Sequence, residues 1–348
     1  MRVFLVAALA LSSCGDNAMG GTRDGPRGPD GSAPDALAPD GRSSDAGGSD
    51  AGAPDATGTD GGPSTRGFRN AGPWVSFYGS ASQIADLTRV ADTFRIINVD
   101  ADPGAGNFTD AELTTLQAGG RNQVISYLNL GSCEMSRTYW SSAPAGLLSC
   151  SANTAAQRGP YQGYPDEVWM DVGNADYQRL ILEHVSARIA TRGVDGFFLD
   201  NLEIVEHGTN TQNGPCDAAC SQGGLDLVRR LRERYPSLLI VMQNATSDVT
   251  RQGTTGGLAY PSLLDGISHE EVYAPSYDMN AESELLRWQA LGLMPGGHSF
   301  WIATEDYVGS CSNTTGAQTA YMRSRANGFS PYASDASGSQ NVICFWGF

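Results

Sequence analysis

From residue 67 onward, acidic and amide residues recur directly after short apolar runs of this 348-residue chain. Asp100, Asp200 and Glu270 each follow such a run. A pair of carboxyl groups cleaves a glycosidic bond without a cofactor, one acting as acid and the other as base or nucleophile. The pattern therefore indicates carbohydrate chemistry. Aspartate and asparagine are also favoured helix N-caps, so any one of these residues has that alternative explanation.

Residues of this kind, together with aromatic rings that stack on sugars, make up the expected substrate site. We expect substrate contacts from Tyr78, Asp100, Tyr127, Glu134, Asn201, Asn244, Glu271, Trp301 and Asp306, with Trp346 as a further stacking ring. The expected partner is a polysaccharide.

The elements that must position these residues are strands alternating with helices. Predicted strands are Trp74–Tyr78, Phe94–Val99, Val124–Leu130, Gly196–Leu199, Leu238–Met242, Gly266–Ser268, Ser299–Ile302 and Asn341–Trp346. The clearest helical patterns are Tyr177–Thr191 and Leu225–Tyr235. Eight such units predict an α/β fold, a (β/α)₈ TIM barrel, whose active site lies at the carboxyl ends of the strands. The alternative is an open doubly wound sheet, but no glycine-rich nucleotide motif follows the first strand.

Three segments of the chain resemble one known family. Val194–Asn201, of sequence VDGFFLDN, is similar to the strand-4 signature of glycoside hydrolase family 114, the endo-α-1,4-polygalactosaminidase-like barrels. Ile125–Glu134 with Arg137 and Trp140 resembles its strand-3 region, and Asp265–Glu270 resembles its strand-6 segment. The resemblance covers roughly residues 72–348.

The resemblance implies that Asp200 and Glu270 are the catalytic pair of an endo-acting glycosidase on an α-1,4-linked galactosamine polysaccharide. We assign Asp200 as nucleophile and Glu270 as general acid and base, with retention of configuration. Glu271 follows Glu270 directly, so the register of this strand has an alternative. Neighbours on a strand point to opposite faces, and alignment from Asp265 favours Glu270.

Composition excludes several other classes of protein. The chain contains no lysine, which rules out a Schiff-base lysine, a pyridoxal-phosphate anchor and a P-loop lysine. Its net charge of -16 is the reverse of a nucleic-acid-binding footprint and favours a cationic partner instead. The four histidines stand apart in sequence, so we expect no metal site, and no cofactor is implied.

The first residues resemble a lipoprotein signal. A short apolar run precedes Leu11-Ser12-Ser13-Cys14, which is similar to the lipobox of bacterial lipoproteins, and we expect a signal peptide over residues 1–14 with lipid on Cys14. The alternative is an ordinary secretory signal with a chance cysteine. The expected location is the bacterial cell envelope or surface, with membrane contact only through the lipid anchor.

Residues 15–66 are rich in Asp, Gly, Ala, Pro and Ser and predict a disordered linker, because so little apolar surface is available to offset the entropy of ordering. The catalytic domain is then 67–348. Without Cys14 an even six cysteines remain, which indicates three disulfides in an exported protein. Sequence does not fix the pairing, and we favour nearest neighbours: Cys133–Cys150, Cys216–Cys220 and Cys311–Cys344.

A second functional class stays open from the sequence. A surface-displayed barrel that binds glycans without cleaving them would carry the same tether and the same aromatic residues. In either case we expect a monomer.

Overall fold

The computed structural model describes residues 66–69, 72–335 and 340–348. The predicted signal segment with Cys14, and the predicted linker except Arg66, lie outside the described residues. Within the described part, no helix combines the length and the apolar character needed to cross a membrane.

Eight parallel strands form one sheet in which each strand pairs with the next along the chain. Their bounds are β1 Trp74–Phe77, β2 Ile96–Val99, β3 Gln123–Asn129, β4 Gly196–Asp200, β5 Leu239–Gln243, β6 Gly266–Glu270, β7 Trp301–Tyr307 and β8 Ser330–Ser334. In strands β1 to β6, all but three residues have less than a tenth of their surface exposed, as expected for strands covered on both faces.

Helices connect the strands and cover the outside of the sheet. They are Leu87–Thr93, Asp110–Gln117, Thr138–Ser141, Ala175–Arg179 continuing through a π segment Leu180–Val185 into Ser186–Ala190, Ala218–Arg234, Asp248–Arg251, Met279–Gln289 and Thr314–Ala326. The two helices predicted from periodicity are both present. The second is longer than predicted, because Asp217 caps it by accepting the N–H groups of Ala219 and Cys220.

The sheet curls until β1 and β8 face each other, which gives the nearly closed (β/α)₈ barrel that the sequence predicted. These two strands lie at opposite ends of the hydrogen-bonded order, and side chains join them among the described residues. The indole N–H of Trp74 donates to the carbonyl of Ser330 at 2.9 Å. The ring of Trp74 also packs edge-on against Tyr332, with centroids 5.7 Å apart.

The eighth strand is Ser330–Ser334, so the prediction of Asn341–Trp346 was wrong. Pro331 lacks a backbone donor and made the segment resemble a loop, but it pairs only with β7 at this open edge, where a missing N–H is tolerated. The apolar residues after 341 pack outside the sheet instead. Phe345, for example, lies against Phe94 with ring centroids 5.7 Å apart.

A three-stranded antiparallel sheet of Ser132–Glu134, Gln157–Tyr161 and Tyr164–Met170 is inserted after β3. The disulfide Cys133–Cys150 ties its first strand to the following loop. Cys216–Cys220 and Cys311–Cys344 form the other two disulfides, so the cysteines are joined in the nearest-neighbour pairs that we favoured. The respective Cα separations are 6.4, 5.3 and 5.1 Å.

A buried carboxylate anchors the amino end of β6. Asp265 is fully buried and contacts two guanidinium groups, Arg232 at 2.5 Å and Arg66 at 2.8 Å. It also accepts the N–H of Ile240 at 2.8 Å. Arg66, which the sequence placed at the end of the linker, thus contacts the base of the barrel.

We predict that Asp265→Ala lowers the free energy of unfolding by about 3–5 kcal/mol, because it leaves the buried Arg232 without its counter-charge. Asp92→Ala is the matched control. It breaks an exposed ion pair with Arg121 and should cost at most about 1 kcal/mol. Urea denaturation measures both values, and equal losses would show that Asp265 is not a special anchor.

Candidate active site

A cavity of about 470 Å³ opens at the carboxyl ends of the strands. Polar and aromatic side chains line it: Tyr78, Asp100, Asn107, Tyr127, Glu134, Ser136, Arg137, Tyr161, Tyr164, Glu167, Asp200, Asn201, Gln243, Asn244, Glu270 and Gln340, with Gly104 and Ala105. Asp200 ends β4 and Glu270 ends β6, so the two carboxyl groups belong to strands separated only by β5.

Alternation along β6 resolves which of the adjacent glutamates faces this cavity. Glu270 is the last strand residue and lines the cavity. Glu271 leaves the strand in a left-handed conformation, with φ of 55°, and its N–H donates to the carbonyl of Glu305 at 2.8 Å. The chain therefore turns away, and Glu271 lines a separate depression beside Tyr273.

Asp200 lies at the floor of the cavity. Desolvation there and the negative charge of Glu270 raise the pKa of Asp200 well above its usual range. A hydrogen bond from the N–H of Asn201 opposes this rise without cancelling it. Burial and the charge of Asp200 likewise raise the pKa of Glu203, in the turn that follows β4.

Three side-chain donors converge on the Glu270 carboxylate. The amide of Asn244 donates to Oε2 at 2.7 Å, while the hydroxyl of Tyr307 and the amide of Gln340 both donate to Oε1. The side-chain oxygen of Asn244 in turn accepts the N–H of Glu270 at 3.0 Å. These donors hold the carboxyl group of Glu270 in one orientation at the cavity.

One wall of the cavity contains an arginine that is shared by two carboxyl groups. Arg137 contacts Asp100 at 2.7 Å and also bonds Glu134, which accepts the hydroxyl of Tyr127 at 3.1 Å. Burial raises the pKa of Asp100, and the charge of Arg137 opposes this shift.

Glu167, on the inserted sheet, has no cationic partner among the described residues. It accepts the hydroxyl of Ser132 at 2.6 Å and the side-chain amide of Asn201 at 3.3 Å. Burial raises its pKa. Its carboxyl therefore adds a third unpaired acid to Asp200 and Glu270.

Six of the nine expected binding residues line the cavity: Tyr78, Asp100, Tyr127, Glu134, Asn201 and Asn244. Trp301, Asp306 and Glu271 do not. Trp301 begins β7 at the opposite end of the barrel, where its ring packs on Trp74 at 5.3 Å.

Asp306 is fully buried and accepts the N–H groups of Tyr273 and Ala274 at 2.6 and 2.9 Å, which holds the loop after β6. Trp346 donates to the carbonyl of Ala333, away from the cavity. The predictions for these residues rested on side-chain types that bind sugars, but in the structure the side chains point away from the cavity.

Sequence reasoning missed the contributions of the inserted sheet and of the C-terminal segment. Tyr161, Tyr164 and Glu167 reach the cavity from the hairpin, and Gln340 reaches it from beyond β8. The hairpin had a detectable signal in the sequence, because a glycine between Tyr161 and Tyr164 is typical of a tight turn. In the structure Gly163 adopts the positive φ of 95° that such a turn requires. Nothing in the local sequence marks Gln340.

No group of three or more histidine, cysteine or acidic side chains in the described part of the chain is arranged to hold a metal ion. Acid pairs act on glycosidic bonds without one. A (β/α)₈ barrel with facing carboxyl groups in a polar, tyrosine-lined mouth defines the class of barrel glycoside hydrolases.

The chain belongs to glycoside hydrolase family 114, whose family model matches residues 64–255. It is therefore a glycoside hydrolase. An uncharacterized protein of Deinococcus radiodurans is 24% identical over 255 residues, which are 70% of this chain and 74% of that protein.

Among solved structures, the chain is similar to the glycoside hydrolase domain of PelA from Pseudomonas aeruginosa. The TM-score is 0.57 at 15% identity, and the match covers 78% of this chain and 96% of that domain. At this identity the likeness supports the barrel fold alone.

The raised pKa of Asp200 predicts an effect on stability with a definite sign. Because the folded pKa lies above the unfolded value of about 3.9, the native state loses stability as the pH rises from about 4 toward the folded pKa. Asp200→Asn removes this loss. We expect the variant to melt above the wild type at neutral pH, with each kcal/mol raising the melting temperature by about 2–4 °C.

Scanning calorimetry from pH 4 to pH 8 measures this difference, which should grow across the interval. A difference that stays constant with pH would mean that the substitution acts through packing and not through the charge.

Proposed function

We propose that this glycoside hydrolase is an endo-acting enzyme on an α-1,4-linked galactosamine polysaccharide and that Asp200 and Glu270 are its catalytic pair. The observation that carries the proposal is the excess of unpaired negative charge in the cavity. Linkage and endo action rest on the family resemblance, and the charge of the substrate rests on the geometry.

The charge inventory of the cavity favours a substrate with free amines. Its acidic lining residues are Asp100, Glu134, Glu167, Asp200 and Glu270, and its one cationic lining residue in the described chain is Arg137. Arg137 is already paired with Asp100 and Glu134. A cleft lined by one sign of charge concentrates ligands of the opposite sign, and a glucosaminyl or galactosaminyl ammonium group supplies that charge.

Aromatic rings at the rim offer surfaces for the apolar faces of sugars. Tyr164 is 45% exposed, and Tyr161 stacks behind it on Trp169 with ring centroids 4.1 Å apart. Such an ordered ring loses little freedom when a ligand binds, which favours affinity. The inserted hairpin would thus form one wall of the sugar site.

The reaction requires one proton shared by the catalytic pair. In the free protein, burial and the charge of Glu270 raise the pKa of Asp200, which favours its protonated form. For Asp200 to attack as nucleophile, the proton must leave it when substrate binds. A nearby ammonium group favours the ionised form of a carboxyl, so a cationic glycan would promote this transfer.

In this scheme Glu270 then protonates the departing glycosidic oxygen, and the Asp200 carboxylate forms a bond to the anomeric carbon. In the second half-reaction Glu270 takes a proton from water, which attacks the same carbon and releases Asp200. Two inversions give net retention. An inverted first product, detected by NMR, would reassign Asp200 as a general base.

We predict that the protein releases new reducing ends from de-N-acetylated α-1,4-galactosaminan and leaves neutral glycans intact. Mass spectrometry of a digestion panel measures this. Cleavage of other glycans but not of the galactosaminan would reject the substrate. Binding without any cleavage would instead favour the glycan-binding barrel.

Within that panel, Asp200→Asn and Glu270→Gln should each reduce kcat by at least about 10³-fold, the range seen when a residue that contacts the reacting atoms is lost. Glu271→Gln, one residue away and outside the cavity, is the matched control and should keep most activity. Loss in Glu271→Gln with retention in Glu270→Gln would show that the wrong glutamate has been assigned.

Glu167 tests the electrostatic argument separately. We predict that Glu167→Gln lowers kcat/KM about 5- to 30-fold, because one unpaired charge worth roughly 1–2 kcal/mol is lost from a desolvated site. The dependence of kcat/KM on salt should also weaken. Glu183→Gln, which removes an exposed helix charge, is the control. Equal effects in both variants would show that the net charge of the whole protein, and not the charge of Glu167 in the cavity, attracts the substrate.

We also retain the proposals of export, lipid attachment at Cys14 and a monomeric state. Three disulfides in the described part of the chain support an oxidising compartment.

A further inference from the structure

A chain of hydrogen bonds crosses from β2 to β6 over the open edge between β1 and β8. The amide of Asn98 donates to the hydroxyl oxygen of Ser76 at 3.0 Å, and Ser76 donates to the side-chain oxygen of Gln340. The amide nitrogen of Gln340 donates to the hydroxyl oxygen of Tyr307 at 2.9 Å and to Oε1 of Glu270 at 3.3 Å. Tyr307 completes the chain by donating to the same Oε1.

Each hydrogen bond in this series is donated in the same direction, from Asn98 toward Glu270. An amide NH₂ group can only donate, so the Asn98 amide directs the proton of Ser76 toward Gln340. The Ser76 proton then fixes which end of the Gln340 amide carries oxygen. Its NH₂ group therefore faces Tyr307, whose own proton is left to bond Glu270.

The backbone of Gln340 is held firmly in place. The residue is 2% exposed and adopts a left-handed conformation with φ of 39°. Its carbonyl accepts the N–H of Tyr78 at 2.7 Å. Four residues later Cys344 is joined to Cys311, and its N–H donates to the hydroxyl of Tyr332 at 3.2 Å. Left-handed non-glycine residues cost energy and persist where surrounding contacts enforce them, often at functional sites.

We propose that Gln340 is a positioning residue for the glycosidase reaction, which orients the Glu270 carboxylate both directly and through Tyr307. This inference rests on the proposed role of Glu270 in the catalytic pair. Gln340 itself does not contact the reacting atoms. Its amide never ionises, so Gln340 stays a hydrogen-bond donor before and after proton transfer, and its bond to the ionised carboxylate is the stronger one.

Few other groups near Glu270 can replace this amide. The titratable groups around Glu270 are Tyr78, Tyr164, Asp200, Glu203, His269, Glu271, Glu305 and Tyr307. Four of these eight are carboxyl groups, which cannot donate a hydrogen bond when ionised, and the Nδ1 of His269 lies 2.8 Å from the backbone oxygen of Glu270 and not from its carboxylate. Loss of the Gln340 amide therefore leaves only Asn244 and Tyr307 as the described side-chain donors to Glu270. Tyr307 also loses the hydrogen bond from Gln340 that orients its hydroxyl group.

The test compares Gln340→Leu with Gln178→Leu. Gln178 is an equally buried amide, 3% exposed, on the outer helix layer, where it donates to the carbonyls of Val172 and Gly223. The titration of the Glu270 carboxyl is followed by carbon-13 NMR, with its signal assigned by comparison with Glu270→Gln. This readout needs no substrate, so it remains informative if the proposed glycosidase activity is absent.

In Gln340→Leu the titration midpoint of Glu270 should move to higher pH by about half to one unit, which corresponds to one lost hydrogen bond. On the galactosaminan, kcat should fall about tenfold with little change in KM, and the alkaline limb of the rate profile, where the general acid Glu270 loses its proton, should move to higher pH by the same amount. Gln178→Leu should leave the midpoint and the rate profile at their wild-type values.

Gln340→Glu serves as the second variant if Gln340→Leu does not fold, because it keeps the shape and loses the donor. It should also move the midpoint to higher pH. An unchanged midpoint in a folded Gln340 variant overturns the proposal and leaves Gln340 as a structural residue. A shifted midpoint without any glycosidase activity supports the contact and rejects the proposed function.

Discussion

The sheet has to close before an active site can exist, and this closure is the constraint on which the rest of the molecule depends. In the described structure β1 and β8 are not paired by backbone hydrogen bonds, and the side chain of Trp74 joins them, while Gln340 bonds Ser76 of β1 from the segment that follows β8. The closed arrangement brings Tyr78, which follows β1, and Gln340, which follows β8, to the same cavity as Asp200 and Glu270. The C-terminal segment therefore contributes to the fold and to the mouth of the barrel at the same time.

The cavity gathers acids at an energetic cost. Asp200, Glu203 and Glu305 all have pKa values raised chiefly by burial, and Glu305 is fully buried on β7. Burying a carboxyl without a cationic partner disfavours its charged form, and a core built only for stability would contain apolar residues there. The cost is tolerated where a ligand supplies the missing charge. The Asp265 anchor at the other end of the barrel lies away from this cavity and can stabilise the fold independently.

Much of this arrangement could be predicted from the sequence. Short apolar runs gave seven of the eight strands within a few residues, because strands covered on both faces need apolar side chains throughout. The exception, Ser330–Ser334, contains serines and a proline and is stabilised by pairing with β7. Similarly, Asp200 and Glu270 were predicted to lie together because a carboxyl at the end of a parallel strand must lie at the same rim as its neighbours, and both line the cavity.

The sequence by itself thus determined the kind of fold, the acidic character of the domain and the candidate catalytic pair, since each follows from local periodicity or composition. Tertiary structure decided which residues share the cavity. Trp301 was excluded because it begins its strand, and Asp306 because strand alternation turns it outward onto backbone N–H groups. Glu167 and Gln340 were brought in by an inserted sheet and a C-terminal segment. Their positions depend on contacts between residues far apart in the chain, and such contacts leave no local pattern in the sequence.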